Sequence, residues 1–331
     1  MPRASPIEPS AARPVTRLAP SPTGALHLGN ARTFLINWLL ARQGGWRIHL
    51  RVEDLDGPRV RRGADAQALE DLRWLGLDWD DGPVYQSTRG ESYRQAVRHL
   101  LHSGRAYPCV CTRREVERAA SAPHAEDGAA VYPGTCRGRF ASMQAATDAA
   151  GGRPPAVRFR VDDAPLAFVD GFAGRQTFDD PVRQLGDFVI LKSDGTAAYQ
   201  LAVVVDDHAA GVTHVVRGDD LIDSTPRQVM LYQALGYAAD IPQYVHVPLV
   251  VGADGRRLAK RHGDTRIHAY RDAGVPAARV LALLARWCGV DAGESASIDA
   301  LLASFRLERV PREPVIFRPQ DDAWLRVAPQ A

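Results

Sequence analysis

Residues 17–30 read Arg17-Leu18-Ala19-Pro20-Ser21-Pro22-Thr23-Gly24-Ala25-Leu26-His27-Leu28-Gly29-Asn30, and they predict the first turn of the chain between a strand and a helix. It starts within an apolar run, Val15 to Ala19, that is typical of a buried strand. Two prolines and a glycine then force a turn. Beyond Leu28 the apolar residues recur at helical spacing, so a helix should follow with an apolar face made by Ala31, Phe34, Leu35, Trp38 and Leu39.

This strand, loop and helix would form a corner suited to an anion. The first N–H groups of a helix lack acceptors within the helix, and the helix dipole favours negative charge at the same end. His27 stands directly before the helix, where it could donate a hydrogen bond to a phosphate, and Gly29 would let a flat ligand approach the backbone. On its own the pattern is equally consistent with a purely structural connection.

Length and composition indicate a globular α/β protein. The chain has 331 residues, of which 45% are hydrophobic and 24% are charged, enough for one large domain and a smaller appendage. No apolar run approaches the ~20 residues that cross a membrane, and the N-terminal segment lacks the apolar centre of a secretory signal. We therefore expect a disordered leader, a cytoplasmic location and no membrane partner. The net charge of +2 neither indicates nor excludes nucleic acid.

Lysine is rare in this chain. Only Lys192 and Lys260 are lysines among 41 lysine and arginine residues. A retained lysine suggests that a compact ammonium is needed, as at a phosphate contact. For Lys192, chance retention explains the residue equally well.

The order of predicted elements favours a doubly wound parallel sheet of the Rossmann type. A second strand at Trp46–Glu53 follows the first helix, and helical spacing recurs at 64–77 and at Tyr93–Leu101, with a turn at Asp80–Pro83 between them. This β-α-β-α order is that of a parallel α/β sheet.

The alternation of predicted strands and helices stops at about residue 107. From there the sequence predicts an insertion with strands at 157–161 and 166–169. The sheet should resume at Phe188–Lys192 and continue at 215–221 and 243–251, before further helices from Pro276, at 298–305 and at 321–326. The predicted units are a leader (1–14), the first half of the catalytic domain (15–106), the insertion (107–185), the second half (186–262) and a helical C-terminal region (263–331).

Two groups of polar residues follow predicted strands. Glu53-Asp54-Leu55-Asp56 ends the second strand, the edge at which parallel sheets bind ligands, although a solvated turn is the alternative. Arg217 projects from a later strand end, where its guanidinium fork could pair with a carboxylate. A salt bridge from Arg217 to Asp219 or Asp220 is the alternative.

Three of the four cysteines cluster in the insertion. Cys109, Cys111 and Cys136 supply three thiolates, one ligand short of a tetrahedral zinc shell, and His124 is a weak fourth candidate. Three reduced structural thiols are the alternative. Cys288 lies inside a predicted helix, where a small buried apolar side chain is expected.

The stretch at 17–30 resembles the HIGH signature of class I aminoacyl-tRNA synthetases, in the glutamyl/glutaminyl subgroup. His27-Leu28-Gly29-Asn30 occupies the tetrad, with Asn30 in place of its second histidine. Arg257-Leu258-Ala259-Lys260-Arg261 resembles the second signature, KMSKS, and retains its second lysine as Lys260. The resemblance implies that His27 and Lys260 are catalytic, that Mg²⁺ accompanies ATP, and that ATP is bound by His27, Gly29, Asn30 and Lys260.

The resemblance also implies a glutamate site. Arg51-Val52-Glu53-Asp54-Leu55-Asp56 is similar to the RxEDxD stretch, in which the Glu recognises the ammonium group of the amino acid. Tyr199 matches a tyrosine of the amino-acid pocket, and Arg217 matches the arginine that selects the side-chain carboxylate. The implied glutamate-binding residues are Arg17, Leu18, Ala19, Pro20, Ser21, Glu53, Tyr199 and Arg217.

Within this subgroup the insertion is similar to that of the glutamyl-Q tRNA(Asp) synthetases, which carry CxC…YxxxC. That likeness implies a structural Zn²⁺ held by Cys109, Cys111, Tyr132 and Cys136. Only about 70 residues follow the second signature, whereas a glutamyl-tRNA synthetase continues into a long anticodon-binding portion. We therefore expect a monomeric enzyme that activates L-glutamate with ATP and transfers it to the queuosine of tRNA(Asp).

Two alternatives stay open at this point. The chain could be a truncated glutamyl-tRNA synthetase that charges tRNA(Glu). It could also be an inactive paralogue that binds glutamate or tRNA, since Asn30, Arg257 and Ala259 depart from the signatures.

Overall fold

The computed structural model describes residues 13–112, 114–116, 131–256, 258 and 263–327. Most of the predicted leader and the second-signature residues Arg257, Ala259, Lys260 and Arg261 lie outside the described residues, as does His124. The strands are β1 (Val15–Leu18), β2 (Arg47–Val52), β3 (Asp81–Tyr85), β4 (Ala106–Cys109), β5 (Ala156–Phe159), β6 (Leu166–Asp170), β7 (Gly174–Phe178), β8 (Phe188–Leu191), β9 (His214–Gly218), β10 (Gln243–Val247), β11 (Val250–Val251) and β12 (Val315–Ile316).

Helices occupy the six regions that were predicted to be helical, and further helices that were not predicted lie between the third and fourth of these regions. They are α1 (Leu28–Gln43), α2 (Ala64–Trp74), α3 (Gly90–His102), α4 (Met143–Ala149), α5 (Pro181–Gln184), α6 (Tyr199–Ala210), α7 (Ser224–Ala234), α8 (Ile267–Asp272), α9 (Ala277–Trp287), α10 (Ile298–Ser304) and α11 (Pro319–Arg326). No helix in the described part of the chain combines the length and apolarity needed to span a membrane.

Parallel strands form the centre of the molecule. The apolar β1 is entirely buried and pairs in parallel with β2, which pairs in parallel with β3. On its other side, the backbone N–H of Thr213 donates to the carbonyl of Val15 (2.8 Å), so β9 begins beside β1. β10 then pairs in parallel with β9. This arrangement confirms the predicted parallel α/β architecture, with α1 as the connection between the parallel strands β1 and β2.

The strand β3 was predicted as a turn, and that prediction is wrong. Gly82 and Pro83 are poor strand formers, which is why the sequence indicates a turn here. In the structure Gly82 has φ +98°, and a Cβ at this position would collide with the carbonyl oxygen of Leu50 on the neighbouring strand. Glycine thus permits the irregular pairing of β3 with β2.

The prediction that the parallel sheet resumes at Phe188 is also wrong. The strand β8 pairs antiparallel with β5, in a three-stranded sheet with the order β4-β5-β8. A hairpin of β6 and β7 completes the strands of this region. An apolar run indicates that a strand is buried but does not identify its partner, so the pattern could not distinguish the two sheets. The proposed domain ranges stay predictions.

The predicted strand at 243–251 is divided in two. β10 ends at Val247 and β11 begins at Val250, with Pro248 between them. Proline lacks the N–H that a continued ladder would use. The carbonyl of Pro248 instead accepts a hydrogen bond from the fully buried Arg32 of α1.

The C-terminal helices hold α1 in place. Arg32 also donates from Nε to the carbonyl of Trp287 at the end of α9 (3.1 Å), and Gln43 donates to the carbonyl of Leu302 in α10 (2.8 Å). Cys288, at the end of α9, is buried in the same apolar core, as expected, and burial raises the pKa of its thiol to about 11. These contacts fix the direction in which the N-terminus of α1 points.

Candidate active site

A cavity of about 530 Å³ opens where β1, β2 and β9 end and α1 begins. It brings together ten of the predicted ligand-binding residues, namely Arg17, Ala19, Pro20, Ser21, His27, Gly29, Asn30, Glu53, Tyr199 and Arg217. Leu18 was predicted with them, but its side chain is completely buried in the apolar core and does not line the cavity. Lys260 lies outside the described residues.

His27 caps the helix α1. Its backbone is extended, and its Nδ1 accepts a hydrogen bond from the backbone N–H of Asn30 at 3.4 Å. A neutral imidazole that accepts at Nδ1 carries its proton on Nε2, so the ring keeps a donor at its other nitrogen. A Cβ on residue 29 would lie 3.3 Å from two ring atoms of His27. Gly29 therefore lets the imidazole lie close against the first turn of the helix.

Two buried arginines beside the cavity, Arg17 and Arg51, share the carboxylate of Asp207. The Nε of Arg17 is 3.6 Å from Oδ2 of Asp207, and Nη1 of Arg51 pairs with Oδ1 of Asp207. Arg51 also reaches Glu53, with 3.1 Å between Nη2 and Oε1. Burial disfavours the charged form of Arg51, but the carboxylates of Asp207 and Glu53 outweigh this effect and raise its pKa. Asp207 and Arg51 thus hold the positions of Arg17 and Glu53.

Arg217 is 5% exposed and is held by neutral groups. Its Nε donates to Nε2 of His246 and its Nη1 to Oε1 of Gln228, both at 2.9 Å. Its Nη2 donates to Thr225 Oγ1 (2.9 Å) and to the carbonyl of Leu221 (3.3 Å). Among the described residues no carboxylate forms an ion pair with Arg217, so the predicted alternative of a salt bridge to Asp219 or Asp220 is not what the structure contains.

The described residues before and after Lys260 in the sequence lie beside the N-terminus of α1. Before it, Val250 of β11 lies near Gly29, since a Cβ at position 29 would be 3.5 Å from the Cβ of Val250. After it, the backbone of Thr265 accepts from Leu28 (3.0 Å), and Ile267 donates to Leu26 (2.8 Å). The two signature stretches are therefore neighbours in the structure at the described flanks of the second one.

A second cavity of about 700 Å³ is lined in part by the residues that follow Glu53 in the sequence, from Asp54 to Gly57. Lys192 lines it and forms a partly exposed ion pair with Asp56, with 3.1 Å between Nζ and Oδ1. The carboxylate of Asp54 accepts from the backbone and hydroxyl of Ser87. The structure thus gives Lys192 a carboxylate partner at the surface.

The three clustered cysteines do meet. Their sulfur atoms all lie within 4.8 Å of one another. The hydroxyl of Tyr132 is 3.4 Å from the sulfur of Cys109 and 3.5 Å from that of Cys111. Burial, together with hydrogen bonds to these thiols, raises the pKa of Tyr132. Four donor atoms of the predicted ligand set therefore converge at one place.

Sequence reasoning missed several residues that support the site. Arg51 was given no role within its motif, and Asp207, His246 and Asp170 were not singled out. Each is a charged or polar residue of a strand or helix, and each is almost completely buried. Because a buried charge needs a partner, a charged residue in an element that is predicted to be buried was the signal that could have identified these positions.

Comparison with known proteins identifies a matching family and several similar proteins. Residues 14–318, which include every cavity residue discussed above, match the family described as tRNA synthetases class I (E and Q), catalytic domain. A protein of Symbiobacterium thermophilum named glutamyl-Q tRNA(Asp) synthetase is 50% identical over 310 residues, which are 90% of this chain and 94% of that protein. A glutamate–tRNA ligase of Pelobacter propionicus is 43% identical over 313 residues, which are 93% of this chain and 64% of the ligase.

A solved structure shows the same likeness in three dimensions. It is the crystal structure of a glutamate tRNA ligase from Elizabethkingia meningosepticum in complex with its amino acid. The superposition has a TM-score of 0.79 at 28% identity and covers 95% of this chain and 68% of the ligase chain.

Proposed function

Since this chain belongs to the class I tRNA synthetases of the glutamyl and glutaminyl type, we propose that it activates L-glutamate with ATP and passes the glutamyl group to the queuosine of tRNA(Asp). In the first step an oxygen of the α-carboxylate attacks the α-phosphorus of ATP, and pyrophosphate leaves. In the second a hydroxyl of the queuosine cyclopentenediol attacks the glutamyl carbonyl, and AMP leaves. Mg²⁺ accompanies ATP, and we assign no dedicated protein ligands to it.

The N-terminus of α1 supports the placement of ATP. The positive end of the α1 dipole lies at the cavity, which Gly29 and Asn30 line, and phosphates are the anions that such helix ends bind. The Nε2 proton of His27 adds a donor beside them. In the proposed step, this donor and Lys260 stabilise the charge that develops on the phosphates.

The choice of glutamate as the amino acid rests on Arg217, whose charge is not neutralised by a carboxylate of the described residues. It is a buried cation at the cavity wall whose described partners are all neutral. Nη1 has one acceptor among the described residues, so it retains an N–H for a ligand. Because a buried charge is costly without a counter-charge, this position favours an anionic side chain such as that of glutamate.

The other groups of glutamate find complementary partners. Arg17 lies at the same wall as Arg217 and is positioned to share the side-chain carboxylate. Most N–H groups of Arg217 are already used inside the protein, so we assign this carboxylate to both arginines rather than to a bidentate fork on Arg217 alone. Glu53 follows the C-terminal end of β2 and lines the same cavity, where its carboxylate would meet the ammonium group.

The choice of queuosine as acceptor is supported by the relatives. The glutamyl-Q tRNA(Asp) synthetase of S. thermophilum is more similar to this chain than the ligase of P. propionicus, at 50% against 43% identity. The second candidate is transfer to the 3′ end of tRNA(Glu), which the likeness to the glutamate–tRNA ligases favours.

We also propose that the thiol cluster binds a structural Zn²⁺. The donor set fits, because three sulfurs and one phenol oxygen converge at distances that allow small movements to complete a tetrahedral shell. The guanidinium of Arg158 lies 3.3 Å from the sulfur of Cys109 and 3.8 Å from the centre of the Tyr132 ring. A cation at this point would partly balance the negative charge of the ligands.

The activation step is tested by amino-acid-dependent exchange of labelled pyrophosphate into ATP. Glutamate should support exchange, while glutamine, which lacks the anionic group that Arg217 requires, should be at least about tenfold poorer. Equal exchange with both amino acids would contradict the proposed role of Arg217. Exchange with neither would contradict the activation step itself.

A further inference from the structure

A chain of buried polar residues continues behind Arg217, away from the cavity. The Nε2 of His246, on β10, accepts from Arg217 Nε at 2.9 Å, and the Nδ1 of His246 is 2.6 Å from Oδ2 of Asp170. Asp170 ends β6, in the hairpin of the insertion, and is 3% exposed, while His246 is completely buried. Two residues from outside the strand of Arg217 thus determine the surroundings of its guanidinium.

The protonation of this chain follows from its chemistry. An arginine can only donate, so Nε2 of His246 must be unprotonated, and its proton must lie on Nδ1. Asp170 is the acceptor for that proton, and it also accepts from the backbone N–H groups of Phe172, Ala173 and His246. Burial favours the neutral carboxyl, but these hydrogen bonds outweigh it and lower the pKa of Asp170. Asp170 is therefore an anion that selects one tautomer of His246.

The neutral imidazole separates two opposite charges. A carboxylate in direct contact with Arg217 would neutralise the guanidinium and compete with a substrate carboxylate. With His246 interposed, the guanidinium keeps an acceptor for its Nε and retains its charge for the cavity.

We propose that His246 and Asp170 are positioning residues for glutamate selection: Asp170 fixes the tautomer of His246, and His246 holds Arg217 in its ligand-binding orientation. This inference rests on the proposed activation of glutamate and adds to it two residues that touch no substrate.

The inference predicts a loss of glutamate affinity in acid. A proton on Nε2 of His246 would face the N–H of Arg217, placing two donors and two cations together. The charged groups around His246 are Asp170 from β6, Arg217 from β9, Arg17 from β1 and Asp219 after β9. Burial is the largest effect and lowers the pKa of His246 below its usual 6.5. Glutamate binding should thus weaken as the pH falls through this lowered pKa, with ATP affinity unchanged.

Two amide variants separate positioning from general packing. The amide of glutamine reaches the place of Nε2, whereas that of asparagine reaches only the place of Nδ1. His246→Gln therefore keeps an acceptor for Arg217, and His246→Asn keeps only the contact with Asp170. Calorimetry with glutamate should show a Kd within about threefold of wild type for His246→Gln and at least about tenfold weaker for His246→Asn, with equal KM for ATP in both.

The pH dependence provides the second measurement. The acid loss of glutamate binding should be present in the wild type and absent in His246→Gln, because an amide does not titrate. Equal affinities in the two variants, or an acid loss that persists in His246→Gln, would overturn the inference. Should neither variant fold, a wild-type Kd that stays constant down to the pH at which the protein unfolds would overturn it as well.

Failure of the proposed function would look different. Wild-type protein that binds glutamate but catalyses no pyrophosphate exchange would contradict activation and leave the positioning of Arg217 measurable by binding. Wild-type protein that binds no glutamate would overturn both.

Discussion

The carboxylate of Asp207 lies 3.6 Å from Nε of Arg17 and also pairs with Arg51, so one buried anion serves two buried cations. Asp207→Asn keeps the shape of the side chain but leaves both arginines without their shared counter-charge. Removing one partner of a buried ion pair is strongly destabilising, so we expect the free energy of unfolding to fall by about 3 kcal/mol or more. Urea denaturation measures this loss. Glu91→Gln, at an exposed pair with Arg94 and Arg98, is the matched control and should change stability far less. Equal losses in the two variants would contradict the account.

His27 has two roles that one substitution separates. Asparagine is a good N-cap, so His27→Asn should preserve the start of α1 and the melting temperature. It removes the Nε2 donor assigned to the phosphates, and we expect pyrophosphate exchange to fall about 100-fold. Exchange at the wild-type rate in a folded His27→Asn protein would remove His27 from the catalytic residues.

Lys260 and Lys192 form a natural pair of test and control, since they are the only lysines in the chain. Lys260→Ala should reduce pyrophosphate exchange about 100-fold without changing the melting temperature, because its ammonium would otherwise stabilise charge on the phosphates. Lys192→Ala breaks only a partly exposed pair with Asp56 and should keep the wild-type exchange rate. The reverse pattern would show that the second signature has been assigned to the wrong lysine.

The zinc proposal is tested by metal analysis. Purified protein should contain about one Zn²⁺ per chain, and Cys109→Ser should lose it, because a structural site needs its full ligand set. Cys288→Ser is the control, since this thiol is buried in the apolar core away from the other three. Metal-free wild-type protein, or zinc retained in Cys109→Ser, would contradict the assignment.

Local features of the chain were predictable because neighbours in sequence determine them. The prolines and Gly24 end β1, and helical spacing from Leu28 defines α1, so the corner around His27 could be derived from residues 15–39 alone. The cysteine cluster was likewise visible from its spacing, although the fourth donor, Tyr132, came only from family resemblance.

Contacts between distant segments were not predictable in this way. Asp170 and His246 are 76 residues apart and meet because the β6–β7 hairpin packs beside β10. The partner of β8 depends on the same kind of long-range packing, since its apolar residues suit either sheet. Leu18 shows the related limit within a motif, because alternation along β1 turns it into the core while Arg17 lines the cavity.

The proposed function is tested best by identifying the tRNA, and the position on it, to which the glutamyl group is transferred. Labelled glutamate and ATP are supplied with queuosine-containing tRNA(Asp), the same tRNA lacking queuosine, and tRNA(Glu). The account predicts label on the first tRNA alone, retained after its 3′-terminal ribose is oxidised while the queuosine diol is protected. Label on tRNA(Glu), or label on tRNA(Asp) that does not depend on queuosine, would contradict it.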